Sequence, residues 1–109
     1  MTISWGDFEK VDMRVGVVTD AREFPEARRP AYRLWIDFGP LGVKRASAQI
    51  TAHYRPGELI GRHVVAVVNF PSKQIGPFVS EVLVGAYDEV GQVILLHPDT
   101  AVAPGSKIG

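Results

Sequence analysis

The sequence predicts an all-β fold, a small barrel or sandwich of five or more short strands. Apolar residues recur at every second position in short stretches, the period of a half-buried strand. Clusters of Gly, Pro and Asp separate those stretches at short intervals, and no stretch carries a long amphipathic helical pattern. The 109 residues fit a single domain with one modest core, and an apolar content of 46% argues against disorder.

The N-terminal segment starts with Ser4 and Asp7 in the spacing of a capping box, with Ile3 and Phe8 at the two positions of a hydrophobic staple. This predicts a short helix from Trp5 to Lys10, too short to stand alone, so Trp5 and Phe8 need a surface to pack on. In the first strand Met13, Val15 and Val17 alternate with Asp12, Arg14 and Gly16, and Gly16 suggests a bulge or bend. A Pro-bracketed loop, residues 25–30, leads to a second strand with Leu34, Ile36 and Phe38 on one face and Arg33, Trp35 and Asp37 on the other. After the turn Gly39-Pro40-Leu41-Gly42, the third strand places Ala46, Ala48 and Ile50 inward and Arg45, Ser47 and Gln49 outward.

Residues 51–61 read as a connection with at most one helical turn, since Pro56 and Gly57 oppose more. Residues 62–70 are apolar on both faces and read as a fully buried strand. Residues 71–77 read as a loop, 78–87 as one continuous strand, 88–92 as a turn and 93–98 as a short extra strand. The tail offers Val102 and Ile108 as anchors. Together with the N-terminal helix, this apolar C-terminal end predicts a homodimer, the competing expectation being a tail that closes its own barrel.

Several function classes recede on composition. No cysteine is present, which removes disulfides, thiolate metal sites and a thiol nucleophile. His53, His63 and His97 stand at no short ligand spacing, no glycine-rich phosphate loop occurs, and Ser80-Glu81 lacks a nucleophile-elbow setting. The expectation is no enzyme, no metal and no cofactor. No apolar run is long enough to span a membrane and the first residues do not resemble a secretory signal, so a cytoplasmic location with no membrane insertion is expected. Net charge is zero, yet from Ala27 to Lys73 eight Lys and Arg meet only Asp37 and Glu58, a local balance of +6. Such a segment is either a solvated mixed surface or a basic face for an anionic ligand.

The phrases DFEKVDMRVGVV, YRLWIDFG, RASAQITAHYRPGELIGRHVVAVVNFPSKQIG and FVSEVLVGA, taken as a set, resemble the tRNA-binding-domain superfamily over nearly the whole chain. ASAQIT, NFP and SEVLV are most similar to its group of export-related chaperones. The resemblance implies an OB-type five-stranded barrel with a short N-terminal helix and an extra C-terminal strand. It also implies a homodimer whose partners are unfolded or exported polypeptides, or alternatively tRNA. Where tRNA binders of the superfamily carry a lysine-rich loop and then Ser-x-Gly-Met, this chain keeps only Lys73 and Ser80, which weakens tRNA as the main ligand.

OB-folds bind on the face of strands 2 and 3 and on two flanking loops. On this chain that places candidate ligand contacts at Arg33, Trp35, Arg45, Ser47 and Gln49 on the strands. Arg28 and Arg29 follow on the first loop, and Asn69, Lys73, Gln74 and Ser80 around the second. Such a surface can stack bases and neutralise phosphates, or it can bond the backbone of an extended peptide. Each assignment has a plainer competitor. The helix or a partner subunit covers Trp35, Arg28 and Arg29 are a solvated pair, and Asn69 serves a turn before Phe70-Pro71.

Overall fold

The structure is a computed structural model that describes residues 1–109. Helix α1 (Trp5–Glu9) is followed by β1 (Met13–Glu23), β2 (Tyr32–Asp37), a 3₁₀ turn (Gly39–Leu41) and β3 (Val43–Ala48). Next come helix α2 (Pro56–Leu59), β4 (His63–Val67), β5 (Lys73–Ile75), β6 (Phe78–Ser80), β7 (Leu83–Val84), β8 (Ala86–Tyr87) and β9 (Val93–Ile94). Five strands form one antiparallel sheet in the order β3-β2-β1-β4-β7, which curls into a nearly closed barrel. The seam between β3 and the β6–β7 segment is held differently. The Glu81 N–H donates to the Arg45 carbonyl at 2.7 Å, the Arg45 N–H donates to Glu81 Oε1 at 3.1 Å, and the Ser47 N–H donates to Ser80 Oγ at 3.0 Å. Two of these three bonds use side chains as acceptors, so sequence rather than backbone alone closes the barrel.

The alternation read in β2 and β3 is the alternation observed. Leu34, Ile36, Phe38, Ala46, Ala48 and Ile50 are buried, joined by Val18, Val64, Ala66, Val82 and Val84 in one core. Leu59, on the single turn of α2, joins the same core. Burying such a leucine is worth about 1.5–3 kcal/mol, which explains why one helical turn suffices there.

Four expectations change. In β1 the inward residues are Gly16 and Val18. A Cβ on Gly16 would lie 2.5 Å from Ile36 Cγ2 and 2.7 Å from Phe38 Cε1. Gly16 therefore admits the Phe38 ring, and the bulge sits at Thr19, where the β1–β2 register shifts and the Thr19 hydroxyl donates to the Trp35 carbonyl. Val15, on the other face, is buried too, and here the tail pairs along the edge of β1: the Val15 N–H donates to the Ser106 carbonyl and its carbonyl accepts from Gly105 N–H, while Ile108 N–H donates to the Met13 carbonyl. The tail thus pairs with the first half of β1 through these bonds and one bridge, Arg14 to Lys107. In β4 only Val64 and Ala66 are fully buried, and Val65 and Val67 are half-buried on the outside. Residues 71–77 are not all loop: Lys73–Ile75 pairs with Phe78–Ser80 around Gly76-Pro77. Gly76, at φ +54°, supplies the positive φ that the first central position of such a tight turn demands. The long strand expected over 78–87 is broken into β6, β7 and β8, the last turning off at Gly85 to pair with β9.

Helix α1 has the expected capping box: Ser4 Oγ accepts from Asp7 N–H, and Asp7 Oδ2 accepts from Ser4 N–H at 3.1 Å. Those bonds hold the Asp7 carboxyl below its ordinary pKa, the backbone bond from Ser4 being the main cause. No residue of the helix is buried. The Trp5 and Phe8 rings touch at 5.5 Å, but Trp5 remains 69% exposed and Ile3 56%. The helix is moored at its base by Asn69, whose amide donates to the Lys10 carbonyl at 2.7 Å and accepts from Asp12 N–H at 3.0 Å. Asp12 in turn accepts from Arg14 Nε at 2.7 Å, and that bond is the main reason the Asp12 carboxyl titrates low.

Candidate ligand-binding face

The outward residues of β2 and β3 meet in register: Arg33 opposite Ser47, and Trp35 opposite Arg45. Against this patch lies the β5–β6 hairpin. Phe78 meets Trp35 edge-on at 5.7 Å and Phe24 at 5.5 Å. Guanidinium groups fill the intervals. Arg33 lies 5.6 Å from the Phe24 ring and 6.0 Å from Trp35, Arg22 lies 5.9 Å from Trp35, and Arg45 lies 5.6 Å from Phe78. Each contact of this kind contributes about 0.5–1 kcal/mol when exposed, and the row also fixes the side-chain rotamers. Trp35 is therefore half-buried, covered by Phe78 rather than by α1, and one side of it opens on a shallow groove shared with Arg22, Arg33 and Val43.

The remaining sequence-predicted residues divide into three groups. Arg28 and Arg29 are exposed in the turn that Phe24 and Ala31 close with a backbone bond, and neither meets a carboxylate. Lys73 is also exposed and unpaired, directly across the hairpin from Ser80. Ser47 and Gln49 look into a cleft beyond the end of β3. A second group is engaged within the fold. Arg45 is paired with Glu81 at 3.3 Å, Ser80 accepts from the Ser47 N–H, and Gln74 donates to the Gly76 carbonyl at 2.6 Å. Asn69 stands apart, its amide spent on the base of α1.

The cleft is open, about 610 Å³, and runs from Arg29 and Pro30 past Ser47, Gln49 and Thr51 to the β7–β9 region. Leu83, Tyr87 and Val93 form its apolar side, with Tyr87 79% exposed and Leu83 55%. Side-chain bonds tie the turn at its far rim. The Asp88 carboxylate accepts from Val90 and Gln92 N–H groups and lies 2.9 Å from His53 Nε2. The bond to His53 is the largest reason the Asp88 carboxyl titrates below its ordinary range. Sequence reasoning missed Arg22, Phe24, Phe78, Glu81 and Tyr87. Phe24 and Phe78 follow or precede prolines at strand ends, a position that reads as core closure and carries no sign of a shared cluster.

The family described as "Putative tRNA binding domain" matches residues 13–107. The chain belongs to the tRNA-binding domain family. Among solved structures this tRNA-binding domain is similar to the chaperone CsaA from Bacillus anthracis, 52% identical with a TM-score of 0.93 and full coverage of both chains. It is also similar to the CsaA chaperone protein from Picrophilus torridus, 50% identical with a TM-score of 0.90, covering 99% of this chain and all of that one. Among curated relatives it is 36% identical to the methionine–tRNA ligase of Porphyromonas gingivalis over 97% of its own length. The chain spans only 15% of that ligase, and 13% of the equally similar one from Nanoarchaeum equitans. No helix of the domain is long and apolar enough to cross a membrane.

Proposed function

We propose that this chain is a non-catalytic, cytoplasmic binding protein that acts as a chaperone for unfolded or export-destined polypeptides. The observation that carries the reading is the cleft beyond β3. On its apolar side Leu83 and Tyr87 are left uncovered beside the half-buried Val93, while Ser47, Gln49 and Gln92 supply polar groups along the same cleft. An extended peptide needs both: apolar ground for alternate side chains and hydrogen-bonding groups for its backbone. The likeness to the two CsaA chaperones, each covered from end to end, supports the same ligand class. The exposed Trp5 of α1 and Ile3 just before it support action as a homodimer, because an uncovered apolar patch at a helix with no buried residue favours a partner of the same shape. The test is suppression of aggregation of a chemically unfolded protein at stoichiometric dimer. Substitution of Leu83 and Tyr87 by Ser removes it on this reading, and unchanged suppression by the folded double variant refutes the site.

A second reading, binding of structured tRNA, rests on its own observation. Arg28, Arg29, Arg33 and Lys73 carry charges with no carboxylate partner around a row of aromatic rings. A gel shift with total tRNA at several salt concentrations separates the two: phosphate contacts make affinity fall steeply with salt, and apolar peptide contacts do not.

A further inference from the structure

Where β4 begins, a second cleft of about 540 Å³ lies between the connection around α2 and the segment after β9. Its ionisable lining is Arg62, His63, His97 and Tyr54, and no Asp or Glu lines it. None of its lining residues belongs to the β2–β3 face.

Most hydrogen-bonding groups of these side chains have no partner within the fold. Arg62 uses only Nε, which donates to the Glu58 carbonyl at 3.3 Å, and its guanidinium is steadied 5.4 Å over the Tyr54 ring. Both terminal nitrogens have no protein acceptor. Tyr54 Oη accepts from the Leu95 N–H at 3.0 Å, and its own hydrogen has no partner. The His63 ring, on the outward face of β4, makes no hydrogen bond. His97 lies with Nδ1 3.0 Å from the Pro98 carbonyl, which places a hydrogen on Nδ1 and leaves Nε2 as a free acceptor, able to take the O–H of a hydrogen phosphate. Side chains from three segments thus line one cleft, with donors on Arg62, Tyr54 and His63, a free acceptor on His97 and no competing carboxylate, and Leu95, Pro98 and Ala101 supply apolar walls.

We infer that this cleft is a binding site for a phosphate group, held by Arg62, Tyr54, His63 and His97. A carboxylate offers two oxygens and no hydrogen, whereas a hydrogen phosphate offers several oxygens to the donors of Arg62, Tyr54 and His63 and an O–H to His97 Nε2, with the two free Arg62 nitrogens suited to a bidentate contact. The source is either free phosphate or a phosphomonoester such as a nucleoside monophosphate, and the chemistry at the cleft is shared.

The experiment is a titration of the full chain with inorganic phosphate, following the ring carbon-bound proton signals of His53, His63 and His97 by NMR at fixed pH and ionic strength. Saturating shifts at His63 and His97, without one at His53, are expected. Arg62→Gln raises the dissociation constant about tenfold, as loss of a charged hydrogen-bonding partner does. His97→Gln, at an exposed position, gives a second variant if the first fails to fold. Parallel titrations with adenosine monophosphate and adenosine distinguish the sources. Binding of the monophosphate at least as tight as phosphate, with none by adenosine, assigns a phosphomonoester. Binding of phosphate alone assigns the free ion. Non-saturating shifts equal to those from chloride, or equally tight binding of acetate, overturn the proposal.

Discussion

Gly16 and Phe38 share one space inside the barrel: the Phe38 ring occupies the volume that a side chain on Gly16 would need, with its Cε1 2.7 Å from the site of a Cβ. Phe38 is fully buried and backed by core residues, so it has nowhere to retreat. Gly16→Ala is expected to destabilise the fold by about 1–3 kcal/mol through overpacking. Urea unfolding measures it. A midpoint equal to that of the parent protein would mean that Phe38 can turn aside.

The seam of the barrel makes a separate prediction. Glu81→Ala strips the Arg45 N–H of its acceptor and is expected to cost about 1–3 kcal/mol. The Glu81–Arg45 ion pair itself is partly exposed and is worth only about 0–1 kcal/mol. Glu81→Gln, which keeps an acceptor oxygen, should therefore recover most of the loss, and a Gln variant as unstable as the Ala variant would assign the effect to charge.

Asp12 sets an acid limit. Its folded-state pKa is lowered, chiefly by the bond from Arg14, so its contribution is present above the unfolded value of 3.8 and is lost as pH falls through the lower folded value. Asp12→Asn is expected to lower the urea midpoint at neutral pH, and the gap from the parent protein should close as pH falls below 3.8. A gap constant across that range would show that the carboxylate charge contributes nothing.

The ligand face can be tested without touching the seam. Arg28, Arg29 and Lys73 are free of carboxylates, whereas Arg45 is tied to Glu81, so the first three are the informative substitutions. With tRNA as ligand, each change to Ala that removes a phosphate contact should flatten the log–log salt dependence by roughly 0.7–0.9. With a polypeptide as ligand, the slope should stay as it was.

Trp5→Ala tests self-association. No residue of α1 is buried in the single chain, so the variant should fold normally while sedimentation equilibrium shows weaker pairing. A parent protein that sediments at the 11.9 kDa of one chain at micromolar concentration removes the homodimer from the proposal.

How far the sequence was legible depended on whether a residue's neighbours were local. Leu34 and Ile36, like Ala46 and Ala48, alternate because their strands have one wet face, and period two reads them correctly. Val15 and Val17 alternate just as cleanly and point outward, in a stretch of β1 whose edge pairs with the tail about ninety positions on, Val15 with Ser106. No local period contains that pairing. Asn69 reads locally as a ligand-loop residue, whereas the bonds its amide makes are with Lys10 and Asp12, far away in sequence. The period of β2 places Trp35 on the outer face, but its cover, Phe78, comes from a hairpin that two prolines and a glycine make read as loop.

The side-chain closure of the barrel carries a consequence for amide exchange. The N–H groups of Arg45 and Ser47 are protected only while Glu81 and Ser80 keep their rotamers, whereas those within the strand ladders open only when a strand leaves. Those two amides should therefore trade deuterium ahead of their neighbours in β3. Because their own side chains border the β2–β3 patch and the cleft beyond it, any molecule bound there braces the seam. Slower exchange at Arg45 and Ser47 then reports occupancy of the face directly, without a label and before the ligand has been identified.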